Sequence, residues 1–357
     1  MNSVRASAPQ LQGLVPYDPK YLPARAMLSA NENPRDVDEE IRKKILRAVK
    51  KVPFNRYPDP LANELRDVIA EANGLERECV LVGNGGDELL FNLALAWGGP
   101  GRTFLNMPPT FSVYAANAAL TGTTVVDVPR RGDFSIDEDA VFERLARGDV
   151  DFTVIASPNN PTGLLAPARF LEQVLEATDA LVMVDEAYFE FSRRTIRPLI
   201  DKHANLVVLR TFSKAFSLAG VRMGYILSNS DVVNEFVKVR QPYSVDAVSQ
   251  VVARVVFENR AQFERGVVSI IEERERVMEA LRATPGVIAY PSDSNWILFK
   301  VDQADQVWAR LYDQGVLVRD FSRTPMLDGT LRVTIGTREE NDAFLAALRS
   351  IVFDLRQ

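Results

Sequence analysis

A chain of 357 residues, 46% hydrophobic and 25% charged, has the length for two domains with sizeable cores and the balance of an ordinary globular protein. Its net charge of −6 leaves no basic excess to neutralise nucleic-acid phosphates. The single cysteine, Cys79, rules out an intramolecular disulfide, and the single histidine, His203, rules out a multi-histidine metal site and disfavours a Ser-His-Asp triad, so no metal is expected. There is no apolar run of about 18 residues and no apolar segment behind Met1, so neither a membrane span nor a secretory leader is expected. The expected compartment is the cytoplasm.

Residues 1–30 carry four Pro and one Gly and read as an extended arm, stable only if it lies on something. Charged helical sequence follows near Val37–Val49. Arg56-Tyr57-Pro-Asp-Pro60 is a rigid turn, and a helix near Leu61–Ala72 closes at Asn73-Gly74. From Cys79 to Leu209 short apolar runs alternate with helical segments: Cys79–Val82, Arg102–Leu105, Thr123–Val128, Phe152–Ala156, Leu181–Val184 and Leu206–Leu209. This rhythm predicts a mostly parallel sheet covered by helices on both faces. After Gly224-Tyr225-Ile226 the character changes. A charge-rich helical region spans 253–283, and strands near Asn295–Phe299 and Leu331–Ile335 flank a helix near Ala304–Gln314. The expected division is an arm (1–30), a large α/β domain (31–244) and a smaller α+β domain (245–357).

In such sheets ligands bind beyond the carboxyl ends of the strands, and most of the notable polar residues fall there. Lys214 follows the 206–209 strand in Arg210-Thr-Phe-Ser-Lys-Ala-Phe216, among small and hydroxylated residues with a phenylalanine on either side. A desolvated amine there has a lowered pKa and reacts with carbonyls near neutrality. Thr211, Ser213 and Arg222 offer what a phosphate monoester requires, so the stretch suggests a pyridoxal phosphate site; a structural ion pair is the alternative. Asp185 ends a strand, where it either keeps a pyridinium nitrogen charged or caps the following turn. Tyr188 and Asn160, the latter in Asn159-Asn160-Pro-Thr-Gly163, either hold a phenolate oxygen or serve as a core tyrosine and an Asx turn. Gly85-Gly86-Asp87 opens a helix after a strand and makes an anion site, though it matches neither a Walker motif nor a dinucleotide fingerprint. Phe111 either lies against a planar cofactor or packs in the core. Arg332 and Arg319 sit in otherwise apolar strands and need an internal carboxylate or a bound anion; Asp320 is an obvious partner for Arg319.

Together, Ser157-Pro-Asn-Asn-Pro-Thr-Gly163, Val184-Asp-Glu-Ala-Tyr188 and Ser213-Lys214 with Arg222 resemble fold-type I pyridoxal-phosphate aminotransferases. The histidinol-phosphate aminotransferase family is the nearer likeness, on Leu14-Val-Pro-Tyr17, Ala30-Asn-Glu-Asn-Pro34, Arg56-Tyr57-Pro-Asp59, Arg210–Phe216 and Arg332–Asn341, which run in order through nearly the whole chain. The resemblance implies that Lys214 attaches the cofactor and shuttles a proton, Asp185 holds the pyridinium, and Asn160 and Tyr188 hold the phenolate. It implies that Phe111 stands where the family has a stacking tyrosine, and that Gly86, Asp87, Thr211, Ser213 and Arg222 cradle the phosphate. Tyr57 would reach the phosphate of a neighbouring subunit, implying a homodimer, while Tyr17, Asn33, Arg319 and Arg332 would bind substrate. The implied reaction converts L-histidinol phosphate and 2-oxoglutarate to imidazole-acetol phosphate and L-glutamate, in histidine biosynthesis. An aromatic-amino-acid aminotransferase and a threonine-phosphate decarboxylase-like lyase are the alternatives. The chain departs from the family in lacking Gly-Pro-Ser-Pro after Asn33-Pro34, and in reading Gly-Gly-Asp where the glycine turn usually carries alanine or serine.

Overall fold

The computed structural model describes residues 5–11 and 22–357. Its strands, in chain order, are β1 (Ala26–Leu28), β2 (Val80–Asn84), β3 (Thr103–Asn106), β4 (Thr124–Asp127), β5 (Phe152–Ala156), β6 (Leu181–Asp185), β7 (Leu206–Thr211), β8 (Met223–Leu227), β9 (Val287–Ala289), β10 (Trp296–Val301), β11 (Val316–Asp320) and β12 (Thr330–Thr334). The helices are α1 (Glu39–Val49), α2 (Asn63–Asn73), α3 (Gly85–Trp97), α4 (Val113–Leu120), α5 (Glu138–Leu145), α6 (Ala168–Ala177), α7 (Phe189–Ser192), α8 (Ser230–Val239), α9 (Ala247–Glu258), α10 (Glu264–Arg282), α11 (Ala304–Asp313) and α12 (Arg338–Asp354).

Seven strands form one sheet in the order β2-β8-β7-β6-β5-β3-β4, parallel except for β8, which runs against both its neighbours. Alternate residues face two separate cores. Val182, Val184 and Val208 point toward α1, α2, α6 and α9, while Leu181, Met183 and Val207 point toward α3, α4 and α8. Burial on both faces explains why these strands read as unbroken apolar runs. Five strands form a second sheet, β1-β11-β12-β10-β9, backed by α10, α11 and α12.

Several elements differ from the expectations. The end of the arm is a strand: β1 pairs parallel with β11, with Ala26 and Leu28 buried in the second core. The 253–283 region is two helices, α9 and α10, split by a 3-10 turn at Arg260–Phe263. α9 packs its apolar face in the first core, while β1 joins the second sheet. Gly85-Gly86-Asp87, as expected, opens a helix, forming the first turn of α3 directly after β2. β8 gave no clear signal because glycine interrupts it. A Cβ on Gly224 would lie 2.7 Å from the backbone nitrogen of Gly86, so β8 can press against the start of α3 only without a side chain there. At the C-terminus, α12 opens with a capping box, Thr337 and Glu340 satisfying each other's backbone N–H groups.

Candidate active site

The tips of β2, β5, β6 and β7 and the facing strands β10 and β12 converge on one cleft. The loop after β7 carries Lys214. Phe212 and Phe216 on either side are buried in an aromatic group with Tyr225 and Phe257, and this anchors the loop. Lys214 is left half-buried, its Nζ donating to the carbonyl of Ala30 at 2.9 Å and lying 5.7 Å from the Tyr188 ring centroid. Burial, with the Arg332 guanidinium as the next cause, pulls its pKa down to about 8.

Asp185 ends β6 and is buried. Its Oδ2 accepts from the Tyr114 hydroxyl at 2.6 Å and its Oδ1 from the Ala187 N–H at 2.9 Å. Burial raises its pKa, and these two donors work against that rise. Phe111 and Tyr114, three residues apart at the start of α4, meet edge-to-face at 5.5 Å. Tyr188 is buried against the edge of Trp296, 4.4 Å between centroids, and its hydroxyl accepts from Asn31 Nδ2 at 3.2 Å.

The first turn of α3 meets Arg222. One Arg222 nitrogen donates to Asp87 at 3.0 Å and another to Ser213 Oγ at 3.5 Å, and Thr211 Oγ1 accepts from the Ser213 N–H at 3.1 Å. A Cβ on Gly85 would lie 2.6 Å from Arg222 Nη2, so the guanidinium reaches the helix start only over glycine. Gly86 stands beside it with its backbone nitrogen toward β8. Arg332, 5% exposed, donates to Asn160 Oδ1 and, at 2.6 Å, to the Ser29 carbonyl. Arg319 faces it directly across the β11–β12 pair. The carbonyls of adjacent residues, Ser29 and Ala30, therefore hold Arg332 and Lys214 about one peptide apart.

Two expected residues, Asn33 and Tyr57, stand outside this cluster. Tyr17 lies outside the described residues. Asn33 Nδ2 donates to the Ala215 carbonyl at 3.1 Å and its Oδ1 caps the turn at Arg35, so it braces the lysine loop. Tyr57, 82% exposed, stacks on Tyr243 at 4.6 Å. The sequence reading missed Asn31 and Tyr114. Asn31 is 1% exposed and joins Tyr188, Thr334 and Asn295 by four hydrogen bonds. Its positive φ of 55°, a conformation Asn tolerates better than most residues, leaves no trace in an apolar pattern. The i, i+3 spacing of Phe111 and Tyr114 was the one available sign of a shared face.

A second layer fixes the strand tips. Glu186 and Arg210, adjacent to Asp185 and Thr211, form a buried pair in which Arg210 Nε and Nη2 donate to Glu186 Oε2 at 3.0 and 2.9 Å. Arg210 also covers the Phe189 ring at 3.8 Å. Glu186→Gln leaves a buried guanidinium uncompensated and is expected to cost about 3–5 kcal/mol. Thermal or denaturant unfolding of the apoprotein measures this, and a loss below about 1 kcal/mol would show the pair to be dispensable.

These residues fit pyridoxal phosphate as a donor set. A reactive amine, a buried carboxylate, and a helix start with arginine and hydroxyls suit an aldehyde, a pyridinium and a phosphate respectively.

Residues 26–348 match the model of the aminotransferase class I and II family. A histidinol-phosphate aminotransferase of Thermococcus kodakarensis is 44% identical over 91% of this chain and 92% of its own length. The chain belongs to the histidinol-phosphate aminotransferase family. A second relative of that name, from Chlorobaculum tepidum, is 39% identical over 92% of this chain and 94% of its own. In fold, this family member is similar to the histidinol-phosphate aminotransferase of Sinorhizobium meliloti, solved in complex with pyridoxal-5'-phosphate, at a TM-score of 0.90, 24% identity and 99% coverage of both chains. No helix among the described residues is long and apolar enough to cross a membrane.

Proposed function

We propose that this family member transfers the amino group of L-histidinol phosphate to 2-oxoglutarate, giving imidazole-acetol phosphate and L-glutamate, in cytoplasmic histidine biosynthesis. The observation that carries the reading is the setting of Lys214: a neutralisable amine one peptide away from a buried arginine, above a strand tip that ends in Asp185. An amino donor that also bears an anionic group suits that pairing. The name borne by relatives up to 44% identical favours this donor over the aromatic acids and over the lyase reading.

Bound pyridoxal phosphate supplies an electron sink that makes the substrate Cα–H acidic. Lys214 would hold the cofactor through its neutral amine and would move the proton at the substrate Cα. Asp185 holds the ring nitrogen protonated, with Tyr114 fixing the carboxylate. Asn160 and Tyr188 hold the ring oxygen, and Phe111 lies against the ring. Gly86, Asp87, Thr211, Ser213 and Arg222 take the phosphate. Arg332 and Arg319, with Asn33 bracing the lysine loop and Tyr17 from the arm, hold the substrate's phosphate in one half-reaction and the carboxylate of glutamate in the other. The exposed Phe54, Tyr57 and Tyr243 support a homodimer in which Tyr57 completes the neighbouring site.

A substrate panel with 2-oxoglutarate tests the reading. Histidinol phosphate is expected to exceed phenylalanine, tyrosine and threonine phosphate in kcat/KM, and dominance of the aromatic acids would replace it. Arg332→Ala is expected to raise KM for both histidinol phosphate and glutamate, by about 10- to 100-fold; an effect on only one would reject a shared anion pocket.

A further inference from the structure

A second cavity, of about 320 Å³, is lined by residues of both units, with neither Lys214 nor Arg332 in its wall, and the reaction described above leaves it unused. Arg130, from the segment after β4, and Lys300, on β10, both line it. Lys300 pairs with Thr330 and Leu298 pairs with Arg332, so Lys300 lies one two-residue step, about 7 Å, along the same face of the sheet from Arg332. The Arg130 guanidinium is buried, yet among the described residues it forms no ion pair. Its contacts are two long bonds, both 3.3 Å, to the carbonyls of Met107 and Phe134. Lys300 is exposed and is likewise absent from every ion pair among the described residues. Arg131 also lines the cavity, but Asp137 takes its charge at 3.0 Å. The exposed Asp328 is the one acidic residue in the lining, so the cavity keeps a net positive charge. Phe134 and Tyr290, edge-to-face at 4.9 Å, make an apolar wall.

We infer that this crevice is a second anion site, separate from the reacting centre, which takes a small molecule bearing a phosphoryl group between Arg130 and Lys300. The chemistry favours that class. A buried guanidinium without a counter-charge is costly, and a fork plus an ammonium matches the two charges of a phosphate dianion better than the single charge of a carboxylate. Burial already draws the pKa of Arg130 down to about 10, the response of a cation that lacks an anion. One ligand held from both sides would tie the seven-stranded unit to the five-stranded unit.

The test uses the cofactor-loaded enzyme carrying Arg332→Ala, which removes one of the two arginines assigned to the substrate anion in the reacting site, and inorganic phosphate as the probe in calorimetric titration. Saturable binding is expected. Lys300→Ala, an exposed change that leaves the fold intact, should weaken it at least tenfold, and Arg130→Lys should weaken it too by losing the fork. In an otherwise unaltered enzyme, Lys300→Ala should leave kcat/KM within about twofold. Lys202→Ala, at a remote exposed lysine, is the control. Absence of saturable binding, binding indifferent to Lys300, or an equal loss with Lys202→Ala would each overturn the inference.

Discussion

Lys214→Ala is expected to reduce transamination by at least about 10²–10⁴-fold, the range lost when a positioned proton carrier is removed. Loss of the covalent attachment point adds to that. The fold should survive, because the Lys214 ammonium donates to the Ala30 carbonyl alone among the described residues while Phe212 and Phe216 anchor the loop. Steady-state turnover and borohydride reduction of the cofactor-loaded protein check the two roles separately. The variant should bind cofactor but fix none of it covalently. Measurable native turnover would remove Lys214 from the chemistry. With a pKa near 8 in place of 10.5, about a tenth of the amine is neutral at pH 7, against roughly one part in three thousand otherwise. The reactivity of the apoprotein amine toward pyridoxal phosphate should therefore rise through an inflection near pH 8. Arg332→Ala should move that inflection upward, because the guanidinium's repulsion is part of what lowers it.

Asp185→Asn should lower kcat by about 10²–10³-fold, the scale of losing one preorganised electrostatic contact. It should also weaken cofactor binding, while the apoprotein is at least as stable as its parent at pH 7. The sign follows from burial. The folded-state pKa of Asp185 is raised, so its ionised form opposes folding, and the parent gains stability as pH falls through that pKa. The stability gap between variant and parent should therefore narrow toward acid pH. Asparagine keeps one oxygen for the Tyr114 hydroxyl and gives up the charge together with the second acceptor, which takes the Ala187 N–H in the parent. A large loss of stability at unchanged kcat would instead mark Asp185 as a structural residue.

The positions of Lys214 and of the strand-tip residues were legible because each depends on local order. An apolar run predicts a strand buried on both faces, and whatever polar residue follows it sits at the carboxyl edge, as Asp185, Asn160 and Thr211 do. The phenylalanines beside Lys214 marked the loop for the same reason, since two apolar anchors in a short turn must go inward. β8 and Asn31 escaped because glycine and a left-handed asparagine serve backbone geometry, which hydrophobic periodicity does not record. α9 was merged with α10 because two consecutive helical patterns with different cores look alike in one dimension.

By itself, then, the sequence determined the parallel, doubly covered sheet, the family, and the residue types offered at the rim. Only the tertiary structure decided which of those residues meet. The Tyr114 hydroxyl reaches Asp185 across 71 positions, and Arg332 and Lys214 are brought side by side by the carbonyls of Ser29 and Ala30, from a segment some 184 positions before the lysine. Such contacts follow from the order in which strands pair and from β1 joining β11. That order is set by the joint burial of many side chains distant in sequence, a property of the whole packed chain that no local stretch carries.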